Sequence, residues 1–119
     1  MSVFSDQKMF MEACGQTTGT INVDQFNLYR TLIKEEVKEF EEAENHADIL
    51  KELMDIIVVV VGATHSMGID PENAWNEVIT SNMSKVDVST GKVLRREDGK
   101  ILKGPNYIAP DFTKLFEIV

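Results

Sequence analysis

The sequence predicts an all-α fold: a four-helix bundle ending in a short C-terminal hairpin or extended arm. Three observations lead there. Apolar residues recur at helical spacing through four successive stretches, and residues that start or stop helices stand between those stretches. The third is a mirror-image pair of carboxylate pairs, Glu36 and Glu39 before residue 45, Glu52 and Asp55 after it. Each pair is spaced i, i+3, so on a helix both side chains share one face, about one turn apart.

The first stretch, Ser5 to Cys14, carries Phe4, Met9, Phe10 and Ala13 at helical spacing, with Gly15 placed to cap its end. Gln16 to Thr20 reads as a polar loop. Asn22 or Asp24 then caps a long amphipathic helix running through Phe26, Leu28, Tyr29, Leu32, Ile33, Val37 and Phe40 to about Glu44. Asp48 is expected to cap the third helix, Ile49 to Ser66. Ile56 to Val61 is β-branched throughout and by propensity reads as a buried strand. Leu50, Leu53, Met54 and Ile57 continue the helical pattern, however, and no neighbouring segment offers a strand partner. So apolar a helix demands burial on nearly every side, which points to an oligomer with this helix near its centre.

Gly68 ends the third helix, and Asp70-Pro71-Glu72 opens a fourth with proline at its first position. Ala74, Trp75, Val78 and Ile79 are expected inward, and the helix should end near Lys85. Ser89-Thr90-Gly91-Lys92 and Glu97-Asp98-Gly99-Lys100 then give two turn signals around short β-prone pieces, before an extended tail from Gly104. Without internal repeats or linkers, residues 1–119 read as one domain.

Hydrophobic residues make up 43% of the 119, enough for a core. The longest apolar run, Ile56 to Ala63, is far short of the ~20 residues needed to span a bilayer, and no secretory leader is evident. A single cysteine, Cys14, cannot form an internal disulfide; it reads as a packing residue in a reducing, cytoplasmic setting. The net charge of −8 is uneven: residues 1–84 hold 15 acids against five bases, whereas 85–103 hold six bases against three acids. Such an acidic body does not suit duplex nucleic acid, and nothing suggests a membrane partner. A small anion held through a metal and a few lysines suits both halves.

If the chain reverses near Asn45 to Asp48, Glu39 falls opposite Glu52 and Glu36 opposite Asp55. Four converging acids repel one another unless a hard cation lies among them. Glu41, Glu42 and Glu44 fit an ordinary solvated helix face, but Glu52 and Asp55 interrupt an otherwise apolar helix. Buried carboxylates without a compensating charge cost several kcal/mol. Oxygen-only ligands favour Mg²⁺, with Mn²⁺ possible, over zinc, and the Glu-x-x-His motifs of a di-iron bundle are absent. His46 and His65 read as surface or capping residues. Magnesium held by carboxylates typically completes its shell with water and substrate phosphate, which suggests phosphate-ester or anhydride hydrolysis. No Walker A loop is present, so Lys85, Lys100, Lys103 and Arg95 or Arg96 are the candidates to meet the remaining phosphate charge.

Glu35-Glu36-Val37-Lys38-Glu39, twelve residues, then Glu52-Leu53-Met54-Asp55 resembles the E-E-x-x-E…E-x-x-D signature of the all-α nucleoside triphosphate pyrophosphohydrolases of the MazG type. That superfamily includes phosphoribosyl-ATP pyrophosphohydrolase and dimeric dUTPases. Ser81-Asn82-Met83-Ser84-Lys85, Gly91-Lys92, Asp98-Gly99-Lys100 and Lys103-Gly104-Pro105-Asn106-Tyr107 extend the similarity over roughly residues 22–112. The resemblance implies a four-helix MazG-like domain that cleaves a (deoxy)nucleoside triphosphate between its α and β phosphates, in nucleotide-pool housekeeping. It implies Mg²⁺ on Glu36, Glu39, Glu52 and Asp55, Glu35 orienting or deprotonating the attacking water, and Asn82 and Lys85 on the nucleotide. Gln16 would help form the base and sugar pocket. Such enzymes are homodimers or homotetramers. Alternative readings are a phosphoribosyl-ATP pyrophosphohydrolase and a non-catalytic helical module that merely binds structural cation.

Overall fold

The computed structural model describes residues 1–116. Among them are four α-helices, a two-stranded sheet and one 3₁₀ turn, Thr113–Phe116. The chain divides into two compact units, Met1–Pro71 and Glu72–Val119.

The first unit holds helices α1 (Val3–Ala13), α2 (Val23–Glu42) and α3 (His46–His65). Ser2 and Ser5 close a reciprocal capping box at the start of α1, and Asn22 accepts from the Gln25 N–H to start α2. The cap of α3 is Asn45 rather than Asp48. Its side chain accepts from the Asp48 N–H at 2.9 Å, so the helix begins three residues earlier than the sequence suggested. The β-branched run from Ile56 to Val61 is helical throughout, tertiary packing having overridden strand propensity. Cys14 is exposed at the C-cap of α1 instead of packed inside. Its position just beyond the helix's last turn takes it away from the inward-facing stripe.

Helices α2 and α3 form an antiparallel hairpin, with α1 packed on α3. The core of this unit is Met11, Tyr29, Val59 and Ala63, flanked by Phe26, Leu32 and Ile33. Burying Met11 completely contributes roughly 1.5–3 kcal/mol. Gly62 lets the Tyr29 ring lie directly on α3, since a Cβ there would stand 2.2 Å from Cε1. Polar groups fix the ends of the hairpin. Gln25 spans from the Thr17 backbone to the Ser66 hydroxyl, donating at 2.7 and 2.9 Å, and the Asn22 N–H donates to the Ser66 carbonyl. Gly68 (φ +80°) turns the chain where the Ile21 N lies 2.9 Å from any added Cβ. His65 is buried, not a surface residue: its Nε2 lies 2.8 Å from the Phe4 carbonyl, which the approach of α1 brings against the last turn of α3.

Helix α4 (Pro71–Met83) starts at the expected proline. Trp75 and Ile79, expected inward, are exposed, while Ser81 is buried; the helix presents a different face from the one its apolar residues alone suggested. In the second unit, strands β1 (Val86–Asp87) and β2 (Lys92–Val93) pair antiparallel, Val86 opposite Val93. An Arg95–Ile101 bridge closes a second turn. Gly91 and Gly99 occupy the left-handed positions of the two turns, at φ +70° and +90°. Both turn signals in the sequence are therefore realised, and a short hairpin follows the helices. No helix is long and apolar enough to cross a membrane among the described residues.

Candidate metal centre

On α2, Glu36 follows Tyr29 by seven residues, two turns along the same face; on α3, Glu52 precedes Val59 by the same interval. Both glutamates therefore occupy the stripe that elsewhere carries the core. Glu52 is buried and Glu36 half-buried, whereas Glu39 is exposed at the edge. One carboxylate oxygen from each of Glu36, Glu39 and Glu52 lies within 4.8 Å of the other two.

Glu39 lies beside Glu52, as the spacing predicts, and Glu36 meets Glu52 as well, while Asp55 acts on Glu36 through its charge; α2 ends at Glu42 and Asn45 caps α3, so the reversal comes earlier than expected. Lys51 donates to Asp55 Oδ2 at 2.8 Å and also lies 3.3 Å from Glu52 Oε1. Lys51, one turn before Asp55, was recognisable from its i, i+4 spacing, a common ion-pair interval.

Two oxygens reveal the strain of this cluster. Glu36 Oε2 and Glu52 Oε2 are shielded from solvent and have no hydrogen-bond partner. Loss of water, the Glu52 contact and the Glu39 charge, with a smaller contribution from Asp55, push the Glu36 carboxyl up to about 7. Either a proton shared between the acids or a cation relieves that situation. The oxygen-only donor set fits a hard divalent cation. Three carboxylate oxygens gathered within 4.8 Å of one another offer such an ion hard donors from two helices.

The remaining predicted residues are distributed over both units. Glu35 is exposed on α2, next to Glu36 in sequence. Gln16, in the loop after α1, accepts a 2.5 Å hydrogen bond from the Tyr29 hydroxyl, whose burial raises its pKa. This ties Gln16 to the face of α2 that carries Glu36. In the second unit, Asn82 accepts from Lys85 Nζ at 3.2 Å, and Arg95 donates to the Gly99 carbonyl. Lys100 is exposed; Arg96 is paired with Asp98. Lys85 and Lys103 both approach the ring of Tyr107, a contact that no local sequence pattern signals.

Residues 7–82 match the sequence model of a family described as phosphoribosyl-ATP pyrophosphohydrolase. No curated protein matches the chain.

Proposed function

Because the chain belongs to the phosphoribosyl-ATP pyrophosphohydrolase family, whose activity is nucleotide pyrophosphohydrolysis, we propose that it hydrolyses a nucleoside triphosphate between the α and β phosphates, releasing a monophosphate and pyrophosphate, with Mg²⁺ as cofactor. The observation that carries this reading is the Glu36–Glu39–Glu52 cluster, with its two buried, unpartnered carboxylate oxygens.

Glu36, Glu39 and Glu52 would hold the cation, joined by Asp55 once it releases Lys51. A Mg²⁺ held there would supply charge to neutralise phosphate oxygens and to acidify a water molecule. Glu35 orients the attacking water and accepts its proton. Asn82, Lys85, Arg95, Lys100 and Lys103 meet the charge and hydrogen-bonding groups of the nucleotide, and Gln16, held by Tyr29, faces base or sugar. The family match runs across the boundary of the two units, which supports reading residues 1–119 as one functional domain.

Leu50 is 59% exposed, and Met54 and Ile57, four and seven residues on, are 48% and 41% exposed. Together they form one apolar stripe on α3 that a homodimer or homotetramer would cover. A soluble, cytoplasmic protein is the matching expectation.

The family description favours a second substrate, phosphoribosyl-ATP. A panel of canonical and modified nucleoside triphosphates together with phosphoribosyl-ATP, assayed for pyrophosphate with and without Mg²⁺, separates the two. Metal-dependent release from a triphosphate is the expected result. Turnover of phosphoribosyl-ATP alone would favour the second reading, and no turnover at all would leave a non-catalytic cation-binding module.

A further inference from the structure

The tail after Gly104 runs back along α4, and three polar contacts hold it there. At the end of the helix, Ser84 Oγ accepts from the Ile108 N–H at 2.9 Å. Seven residues earlier on the same face, about 10 Å back along the axis, Glu77 takes the other two. Its Oε2 accepts from the Asp111 N–H at 3.3 Å, and its Oε1 pairs with Lys114 Nζ. Asp111 prepares the second of these contacts, because its Oδ1 accepts from the Thr113 N–H and hydroxyl, at 3.1 and 2.6 Å, and so opens the 3₁₀ turn Thr113–Phe116 that carries Lys114.

Apolar packing contributes little to this attachment. Ile108, Phe112 and Phe116 are 65%, 39% and 50% exposed, so the large side chains of the tail keep much of their surface in water. Lys114 and Leu115 border a cavity of about 390 Å³ whose other walls are Asn73, Asn76, Glu77 and Thr80. The polar contacts therefore decide whether the tail stays down. Glu77 is the strongest of them, since its side chain is only 19% exposed and its carboxylate receives two charge-assisted donors. Lys114 first, and then the Asp111 N–H, hold that carboxyl below its ordinary range, so it is charged at neutral pH.

We infer that Glu77 is a positioning residue: it latches residues 108–116 onto α4 and thereby holds the chain that carries Lys103 against Lys85. Gly104, the next residue after Lys103, lies so near Lys85 that an added Cβ would stand 3.5 Å from its carbonyl oxygen. With Glu77 removed, Ser84 is left as the single polar anchor of the tail, and Lys103 is held less often at the end of α4. The kinetic consequence, weaker nucleotide binding with little change in the chemical step, rests on the pyrophosphohydrolase reading; the latch itself does not.

The test is limited chymotrypsin digestion of the full-length protein, with cleavage after Phe112 followed by mass spectrometry, beside steady-state kinetics on the nucleoside triphosphate turned over fastest in the substrate panel. Where reclosing is fast, cleavage tracks the population of the open form. Glu77→Ala loses both contacts and should speed cleavage at least about tenfold. Glu77→Gln keeps an acceptor for the Asp111 N–H and should speed it only about threefold. Lys114→Glu, at an exposed position, should also speed it, and adding Glu77→Lys should slow it again, a coupling that loss of folding would not produce. In the kinetics, Glu77→Ala should raise KM at least threefold while kcat changes less than twofold. Unchanged cleavage in Glu77→Ala, failure of the exchanged charges to slow cleavage relative to Lys114→Glu, or a fall in kcat with KM unmoved would each overturn the inference. A chain that shows the digestion pattern yet hydrolyses no triphosphate would refute the proposed activity and leave the latch standing.

Discussion

Lys51 reaches Asp55 across one turn of α3, its Nζ 2.8 Å from Oδ2, and so pairs its own charge with the acid nearest the Glu36–Glu39–Glu52 cluster on that helix. An exposed i, i+4 pair of this kind is weak and easily broken. Lys51→Ala should therefore tighten Mg²⁺ or Mn²⁺ binding only modestly, roughly twofold, measured by calorimetry on the nucleotide-free protein. A tenfold loss of affinity instead would mean that Lys51 supports the cluster rather than competing for it.

Glu39→Gln or Glu52→Gln should each lower turnover by at least about 10²-fold, because removing a metal ligand removes charge stabilisation at the transition state. Circular dichroism should show the helices intact. The double variant should cost little more than the worse single one, as for groups that act as a unit. Near-normal kcat/KM in both single variants would exclude the cluster as the catalytic centre.

Much of this arrangement was legible in the sequence. The spacing of Glu36, Glu39, Glu52 and Asp55 announced a helical hairpin with converging acids, and proline and glycine punctuation located α4 and both turns. What escaped was set by single side chains acting across space. Asn45 took the cap from Asp48 and moved the reversal, which brings Glu52 against Glu36 as well as Glu39. Lys51 then captured Asp55. The approach of Lys85 to the Tyr107 ring lies beside the Ser84–Ile108 hydrogen bond, a pairing 24 residues apart that no local pattern encodes. His65 likewise became a buried residue only because α1 folds its Phe4 carbonyl over it.

The Glu36 carboxyl gives the metal-free protein a particular pH response. Its pKa is raised from 4.5 to about 7 in the folded state, chiefly by loss of water and then by Glu52 and Glu39. Between those values the folded chain holds a proton that the unfolded chain has released, so stability from this group is present below pH 4.5 and is lost as pH rises through 7. Thermal unfolding in EDTA should show this component of Tm falling over that window. Glu36→Gln should flatten it and raise Tm at pH 8, and saturating Mg²⁺ should flatten it in the wild type. A Tm difference between wild type and Glu36→Gln that does not vary from pH 4.5 to 8 would exclude the proposed titration.

The packing of Tyr29 on Gly62 fixes the spacing of the α2–α3 hairpin two helical turns from the level at which Glu36 projects. An alanine Cβ at residue 62 would stand 2.2, 2.5 and 2.7 Å from three ring atoms of Tyr29. The ring cannot simply swing away, because its hydroxyl is bonded to Gln16 and its faces belong to the core with Met11 and Val59. The helices must separate instead, and overpacking of this kind typically costs 1–3 kcal/mol or more. Gly62→Ala should therefore lower the urea midpoint and, by spreading Glu36 from Glu52, weaken metal binding as well. In a Tyr29→Ala background the obstructing ring is gone, so the same substitution should cost much less; a double-mutant cycle measures that coupling. Additive costs in the two backgrounds would show that Gly62 is needed for some reason other than the close approach of Tyr29.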